Sequence, residues 1–455
     1  MGTMGAAVAM LAACQPKIVE VEKIVEVEKI VEKEVEKIVK ETVVVKEASD
    51  AKYTLVFSPR TGPPPEVFKP YFEELHPEIE LRYEVGAGDI RQRLTAHMMA
   101  GDCPDVFGTC CADSVFFIQQ DQCLSLQPFM DREDYDLTDF HDRQFTSWTQ
   151  DGEIYAIPSY TGTYSLYYNK DMFDEAGIDY PPAEWGNLSF DDYHQMLLKV
   201  AKPDADPKVF GVTGYCMAGG GSAWVTQVWL RGFGARMVNP DNWNECMLCE
   251  PEAIECLETL QKMVHEEGTV GCGGEAQRWI GPALFAGGGA AMLEMGSWGL
   301  NTVVDGAQFN WDVAGMWGGK GGPTSHVSVD CDEVWQGTSY PEHAWELINA
   351  LTSPEAEIMQ IDQYGTQPSR LSVLGEWVTR LKNTRPAFEN INLKAFQDVI
   401  EQNIGDQEEF FTEDNVAKRT ILAVILDEIL LLNTRPAQDI CGYAELATRY
   451  CMGEV

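Results

Sequence analysis

The sequence predicts an α/β protein whose strands and helices alternate along the chain, with helices covering the faces of a parallel sheet. Three observations predict it. Tyr53-Thr-Leu-Val-Phe-Ser58 is a short β-branched and aromatic run, the composition of a strand. A Pro-rich turn, Pro63-Pro64-Pro65, opens an amphipathic stretch that runs to Leu75. Ile79, Leu81, Tyr83 and Val85 then alternate with polar residues, which gives a second strand one apolar face. Strand, helix and strand in that order make the two strands parallel, since the helix carries the chain back to start again at the same end. The 455 residues, 45% of them hydrophobic, suffice for two or three ordinary domains or for two lobes of one divided domain.

Ahead of this body the chain is apolar and small from Met4 to Ala13 and stops at Cys14. Leu11-Ala12-Ala13-Cys14 resembles the lipobox of bacterial lipoproteins, in which the cysteine becomes the lipidated first residue of the mature chain. Residues 1–14 are therefore expected to be a lipoprotein signal segment, with Cys14 the lipidation site and the protein held on the outer side of a cell membrane. No Lys or Arg precedes the run, so an upstream start codon is expected. Residues 15–50 follow as a repetitive Val/Glu/Lys tether: Lys17-Ile-Val-Glu-Val-Glu recurs from Lys23 and, altered, from Lys29 and Lys37. A six-residue repeat matches neither a heptad nor 3.6 residues per turn, so helical, extended and coiled-coil forms all stay open. It carries no catalytic group type beyond Lys and Glu and reads as a spacer.

Downstream helices announce their own ends. Ser189 with Asp192 makes an N-cap ahead of Phe190, Tyr193, Met196, Leu197 and Val200 on one face. Pro251 opens a helix lined by Ile254, Leu257, Leu260 and Val264 and stopped by Gly268. Pro341 and Pro354 open two more, the first burying Ala344, Trp345, Ile348 and Leu351. Apolar faces of this kind are core and carry no chemistry. The Gly-rich stretch Gly318–Thr324 lacks the Lys-Ser/Thr of a phosphate loop and reads as a flexible connection.

A formal charge of −39 excludes nucleic acid, whose phosphates nothing here neutralises, and disfavours anionic lipid as a partner for the body. From Lys17 to Glu47 seven lysines stand against nine glutamates, which leaves −37 of that charge elsewhere. No cofactor motif is present, and neither a Gly-x-Ser-x-Gly nor a His-Glu-x-x-His element occurs. Beyond Cys14 the chain has twelve cysteines, an even number that an oxidising compartment would pair. Cys246, Cys249, Cys256 and Cys272 would also supply a zinc site. Disulfides are the expectation, with no metal.

Four segments bear a resemblance to a known family. They are Gly101-Asp-Cys-Pro-Asp-Val-Phe107; Gly152-Glu-Ile-Tyr-Ala-Ile-Pro158 with Leu166-Tyr-Tyr-Asn-Lys-Asp-Met-Phe-Asp-Glu-Ala-Gly177; Leu284-Phe-Ala-Gly-Gly-Gly-Ala-Ala-Met-Leu-Glu-Met-Gly-Ser-Trp298; and the stretch from Pro341 through Leu351-Thr-Ser-Pro354 to Gly365-Thr-Gln-Pro-Ser-Arg370. The set resembles the family 1 extracellular solute-binding proteins, which include maltose- and other oligosaccharide-binding proteins, and it runs in family order from residue 53 to about 400. The resemblance implies a two-lobed periplasmic-binding-protein fold with a ligand cleft at a multi-strand hinge, and no catalysis. It puts residues 51–160 and 317–351 in lobe 1 and residues 161–316 and 352–455 in lobe 2. Crossings are implied at Ser159–Gly162, near Asp312–Trp317 and near Leu351–Pro354. The implied partners are a carbohydrate and the membrane permease subunits of an ABC importer, with the membrane touched through the N-terminal lipid alone.

A sugar has apolar C–H faces and a rim of hydroxyls, so aromatic faces with polar side chains around them suit it. Trp298 matches the family's stacking tryptophan. Tyr160 and Tyr164 flank the first crossing, and Trp224 follows Gly219-Gly-Gly-Ser222 in the second lobe. For hydrogen bonds the choices are Ser58 and Arg60 after the first strand, Asp113 after the Pro-Asp-Val-Phe strand, and Arg370. Plainer roles stand against them: twelve tryptophans must include core residues, and Arg370 serves equally to hold a loop. Cys103, Cys110 and Cys111 depart from the family's pattern and would give a structural bridge or a sulfur-rimmed, redox-sensitive cleft. Three rival functions remain: a protein for a cationic solute such as a polyamine, a surface glycan-active enzyme, and an adhesion protein raised on its tether.

Overall fold

The computed structural model describes residues 51–86, 89–214, 223–272, 281–412 and 416–455, without the side chains of residues 111, 223 and 224. The chain divides into Met1–Asp50 and Ala51–Val455, and every described element belongs to the second unit. The signal segment, Cys14 and the tether thus lie outside the described residues.

Nine strands form one mixed sheet. Its main strands are β1 (Tyr53–Ser58), β2 (Ile79–Tyr83), β3 (Val106–Cys110), β4 (Ala156–Asn169), β5 (Phe210–Thr213), β6 (Ala290–Gly296), β7 (Trp311–Ala314), β8 (Ser325–Val334) and β9 (Gly405–Asp406). The order is β2-β1-β3-β8-β4-β6-β5, with β7 also on β4 and β9 also on β8. β1 pairs in parallel with β2 and β3, as the strand–helix–strand reading requires. β8 then enters antiparallel to both β3 and β4. The fourteen-residue β4 is the long member: Ala156–Thr163 pair with β8, and Tyr164–Tyr168 pair with β6. One continuous strand therefore carries the chain from one half of the two-lobed α/β body into the other.

Period-2 alternation sorts the cores. In the first half, Phe68 and Phe72 of α1 (Pro65–Leu75) pack with Leu55, Leu81 and Val106. In the second half, Leu166 of β4 and Met292 of β6 feed one core, shared with Tyr193 of α2 (Phe190–Val200), Trp229 of α3 (Ala223–Phe233) and Leu257 of α4 (Pro251–His265). Tyr167 and Leu293, one residue on, feed the core on the opposite face with Trp311, Trp377 and Phe396. Trp345, Ile348 and Leu351 of α5 (Pro341–Leu351) join the first half, and Ser353 caps α6 (Pro354–Tyr364) by accepting from Ala356 N at 3.2 Å. None of the described helices is long and apolar enough to cross a membrane.

One expectation is corrected and another is met only in part. Gly318–Thr324 is not a flexible connection: Gly318–Gly319 pair with Gly322–Pro323 in a tight hairpin. Gly322 takes φ +85°, and a Cβ on Gly321 would collide with the Arg231 carbonyl of α3, so the glycines let the hairpin press onto that helix. The disulfide expectation is met in part among the described residues. Cys249 is bonded to Cys441 and Cys272 is also in a disulfide, whereas Cys103, Cys123, Cys246, Cys256 and Cys331 are thiols. Cys123, Cys256 and Cys331 sit in the core as small apolar side chains on separate elements. With Cys249 committed to Cys441, the four-cysteine zinc set is not assembled.

Candidate ligand cleft

The sheet's middle strands build a floor. Tyr160 of β4 stands opposite Asp330 of β8, and Gly162 opposite Ser328. Residues two apart on a strand share a face, so Tyr160 and Gly162 project the same way as Ser328 and Asp330. Three loops close around them. The first, after β1, brings Arg60 and Thr61; the second, after β6, brings Ser297 and Trp298; the third, after α6, brings Gly365, Thr366 and Gln367. They enclose a cavity of about 330 Å³.

Trp298 owes its position to missing side chains beneath it. A Cβ on Gly162 would stand 2.6 Å from Trp298 Cε3 and would also strike the Tyr160 hydroxyl, and one on Gly296 would collide with Cζ3 of the same indole. The ring rests on this glycine shelf and, below it, against Tyr164, whose ring centre is 6.4 Å away. Tyr164 is fully buried and donates from its hydroxyl to the Glu294 carbonyl at 2.6 Å. β6 is itself pinned: the Glu294 carboxylate accepts from Tyr193 Oη (2.7 Å), Trp229 Nε1 (2.8 Å) and Trp317 Nε1 (3.1 Å). Burial outweighs those donors and raises its carboxyl above the usual range.

The rim is polar and its charges are matched. Arg60 Nε donates to Asp330 Oδ1 at 3.2 Å, and Thr61 Oγ1 makes a short bond to the other oxygen. The hydroxyls of Tyr160 and Ser297 are buried side by side and make no well-formed hydrogen bond elsewhere among the described residues. Burial holds the Tyr160 phenol well above its ordinary value, so it stays a neutral donor. Gln367 fixes the third loop: its Oε1 accepts from Thr163 N (3.2 Å) and Thr163 Oγ1 (3.1 Å).

Of the residues singled out from the sequence, Trp298, Tyr160 and Arg60 line this cavity and Tyr164 lies directly beneath it. The others sit elsewhere. Ser58 is fully buried and accepts from Arg93 Nη1 at 2.9 Å. Asp113 accepts from Arg91 Nε at 2.7 Å. Arg370 spends its guanidinium on Thr352 O (2.6 Å), Tyr135 Oη (3.0 Å) and Asp139 Oδ2 (3.2 Å), over the Phe140 ring. The Trp224 and Cys111 side chains lie outside the described residues. Cys110 stands opposite Asp330 in the ladder. Burial pushes the Cys103 thiol up to about 12, which disfavours its thiolate, and Cys103 does not line the cavity. Sequence reasoning missed Thr61, Ser328, Asp330 and Gln367. A usable signal existed for two of them, since Ser328, Asp330 and Asp332 alternate with Val327, Val329 and Cys331.

Comparison with known proteins bears on the fold and the family. A protein of Brucella abortus named only as a binding protein is 27% identical over 319 residues, covering 67% of this chain and 72% of its own. An ABC substrate-binding protein from Listeria monocytogenes, solved in complex with cycloalternan, superposes with a TM-score of 0.73 at 20% identity, over 88% of this chain and 99% of that one. UgpB from Mycobacterium tuberculosis, solved with glycerophosphocholine, gives 0.71 at 17% identity, over 85% and 94%. Both structures share the two-lobed fold. The sequence profile described as bacterial extracellular solute-binding protein matches residues 58–358, and the chain belongs to that family.

Proposed function

We propose that this solute-binding protein captures a carbohydrate in the cleft beside Trp298 and delivers it to an ABC importer, without catalysing a reaction. The observation that carries the reading is the indole seated on Gly162 and Gly296 amid the hydroxyls of Tyr160, Ser297 and Thr61. An aromatic face meets the apolar side of a sugar ring, and neutral hydroxyls with one matched ion pair meet its rim. The Listeria relative's cycloalternan supports the same ligand class. Lobe 1 would comprise residues 51–160 and 317–351 and lobe 2 residues 161–316 and 352–455. Ligand would bridge them and favour the closed form. Lipidated Cys14 and the tether would keep the body at the outer face of the membrane.

One observation favours a second reading. Asp330 in the cleft and the glycerophosphocholine of the mycobacterial relative fit a solute with a cationic group. Arg60 and Thr61 already hold that carboxylate, which argues for the carbohydrate. A thermal-shift screen against mono- and oligosaccharides, polyamines and glycerophosphocholine tests both, because a ligand that binds only the folded state raises its melting temperature. A saturable rise with a sugar alone supports the proposal. A rise with polyamines or glycerophosphocholine alone replaces it with the second reading.

A further inference from the structure

At the opposite end of β1 from the Arg60 loop, two glutamates and two histidines converge. His76 ends α1, Pro77 follows, and Glu78 precedes β2; Ile79 N donates to His76 O at 3.0 Å and closes the turn. That turn, stiffened by Pro77, presents His76 and Glu78 together. From the first turns of α5 come His343 and Glu346, three residues apart and so on one helix face. Glu346 Oε2 lies 2.9 Å from His343 Nδ1 and 3.6 Å from His76 Nδ1. One donor atom each from His76, Glu78 and Glu346 falls within 4.8 Å of the others.

Among the described residues neither Glu78 nor Glu346 is paired with a lysine or arginine; the ion-pair partners of Glu346 are the two histidines. Both rings are held by packing, His76 against Phe72 at 4.8 Å and His343 against Tyr53 at 4.4 Å between ring centres. Two carboxylates thus meet imidazole nitrogens with no fixed cation, on a body carrying most of a −39 charge. Four donors around a zinc ion at about 2.0–2.2 Å stand roughly 3.3 Å apart. Small side-chain rotations take the present spacing to that value.

We propose that His76, Glu78 and Glu346 bind a divalent transition-metal ion of the zinc class, with water in the fourth position. His343 is a positioning residue that orients Glu346 through their 2.9 Å hydrogen bond. The ion would clamp the α1–β2 turn to α5, where Lys52 N and Tyr53 N also bond to the Glu78 carbonyl, at 2.8 and 3.0 Å. Six residues of β1 at about 3.3 Å each separate this site from the cleft, so it stands independently of the carbohydrate reading.

The test is calorimetric titration of the chelator-treated full chain with Zn²⁺, followed by Co²⁺ absorption spectroscopy. One equivalent should bind. Glu346→Gln and His76→Ala should each weaken binding at least tenfold, and His343→Ala about tenfold, the usual effect of losing an outer hydrogen bond. The Co²⁺ spectrum should lack the near-ultraviolet bands of thiolate ligands. Glu346 is exposed enough that Glu346→Gln should fold normally by circular dichroism, which keeps the test valid where His76→Ala fails to fold. No uptake, wild-type affinity in Glu346→Gln and Glu78→Gln, or thiolate bands would each overturn the proposal.

Discussion

Arg60 and Arg370 invite comparison, because both are arginines beside a carboxylate and both were candidates to hydrogen-bond a ligand. Their surroundings differ. Arg60 bonds Asp330 from the rim of an open cavity, with 34% of its side chain exposed. Arg370 is 11% exposed, lies across Phe140, and gives each arm of its guanidinium to Asp139, Tyr135 or the Thr352 carbonyl. A guanidinium whose donors are all committed in a closed setting holds structure. One bonded to Asp330 at a cavity edge, with a third of its side chain in solvent, can exchange that bond for a ligand. Residue type and place in a motif do not separate these cases; the neighbours do.

The largest expected effect falls on the closed member. Arg370→Met takes a charged donor from Thr352 O, Tyr135 Oη and Asp139, leaving that carboxylate to Ser372 N and Oγ, and should destabilise the fold by about 3–5 kcal/mol, read as a lower urea midpoint. Carbohydrate affinity in the fraction that stays folded should change little. A midpoint near wild type would erase the distinction between the two arginines.

A second test uses a buried carboxyl with no cation beside it. Glu333 accepts from Ser114 Oγ (2.5 Å), Thr109 Oγ1 (2.6 Å) and Cys123 Sγ (3.7 Å), and burial pushes its carboxyl up to about 7. The folded value lies above the ordinary 4.5, so its contribution is full below about pH 4.5 and is lost as pH rises through about 7. The span corresponds to roughly 3 kcal/mol. Urea midpoints measured from pH 5 to 8 should fall, and Glu333→Gln should flatten that fall. An unchanged slope in the variant would show that Glu333 ionises freely despite its burial.

The smallest effect on stability belongs to the open member. Arg60→Ala should cost about 1–2 kcal/mol, because the buried Asp330 carboxylate it leaves is still held by Thr61. It should weaken carbohydrate binding about tenfold, the loss of one hydrogen bond to a charged group. A stability loss as large as that of Arg370→Met would place Arg60 among the structural arginines.

Much of the frame was legible because it depends on local signals. The Ser189 cap is formed, its Oγ accepting from Asp192 N at 3.0 Å, and Tyr193, Leu197 and Val200 turn inward as their spacing requires. Pro65, Pro251, Pro341 and Pro354 all open helices. Within the cleft, Tyr160 was legible as an aromatic residue beside a strand crossing, and Trp298 through the resemblance of Gly296-Ser-Trp298 to the family pattern. What was hidden depends on partners distant in sequence. The alternation around Asp330 marks a strand with a polar face, but Asp330 joins the rim because β8 slots antiparallel between β3 and β4, a placement that alternation does not announce. Arg370 is closed off by Asp139, on the far side of the fold's sequence order. The glycine shelf is likewise a property of two strands in register, since Gly162 and Gly296 meet only at the indole.

The central claim is that Trp298 is a binding surface seated on that shelf, and Trp298→Ala tests it most directly when carbohydrate affinity and urea midpoint are measured on the same variant, using the sugar that raises the melting temperature in the screen. Loss of stacking, about 0.5–1.5 kcal/mol, with loss of the buried contact area should lower affinity roughly ten- to a hundredfold. The midpoint should shift far less than the 3–5 kcal/mol typical of removing a core tryptophan. Unaltered affinity together with a destabilisation of that larger size would contradict the account.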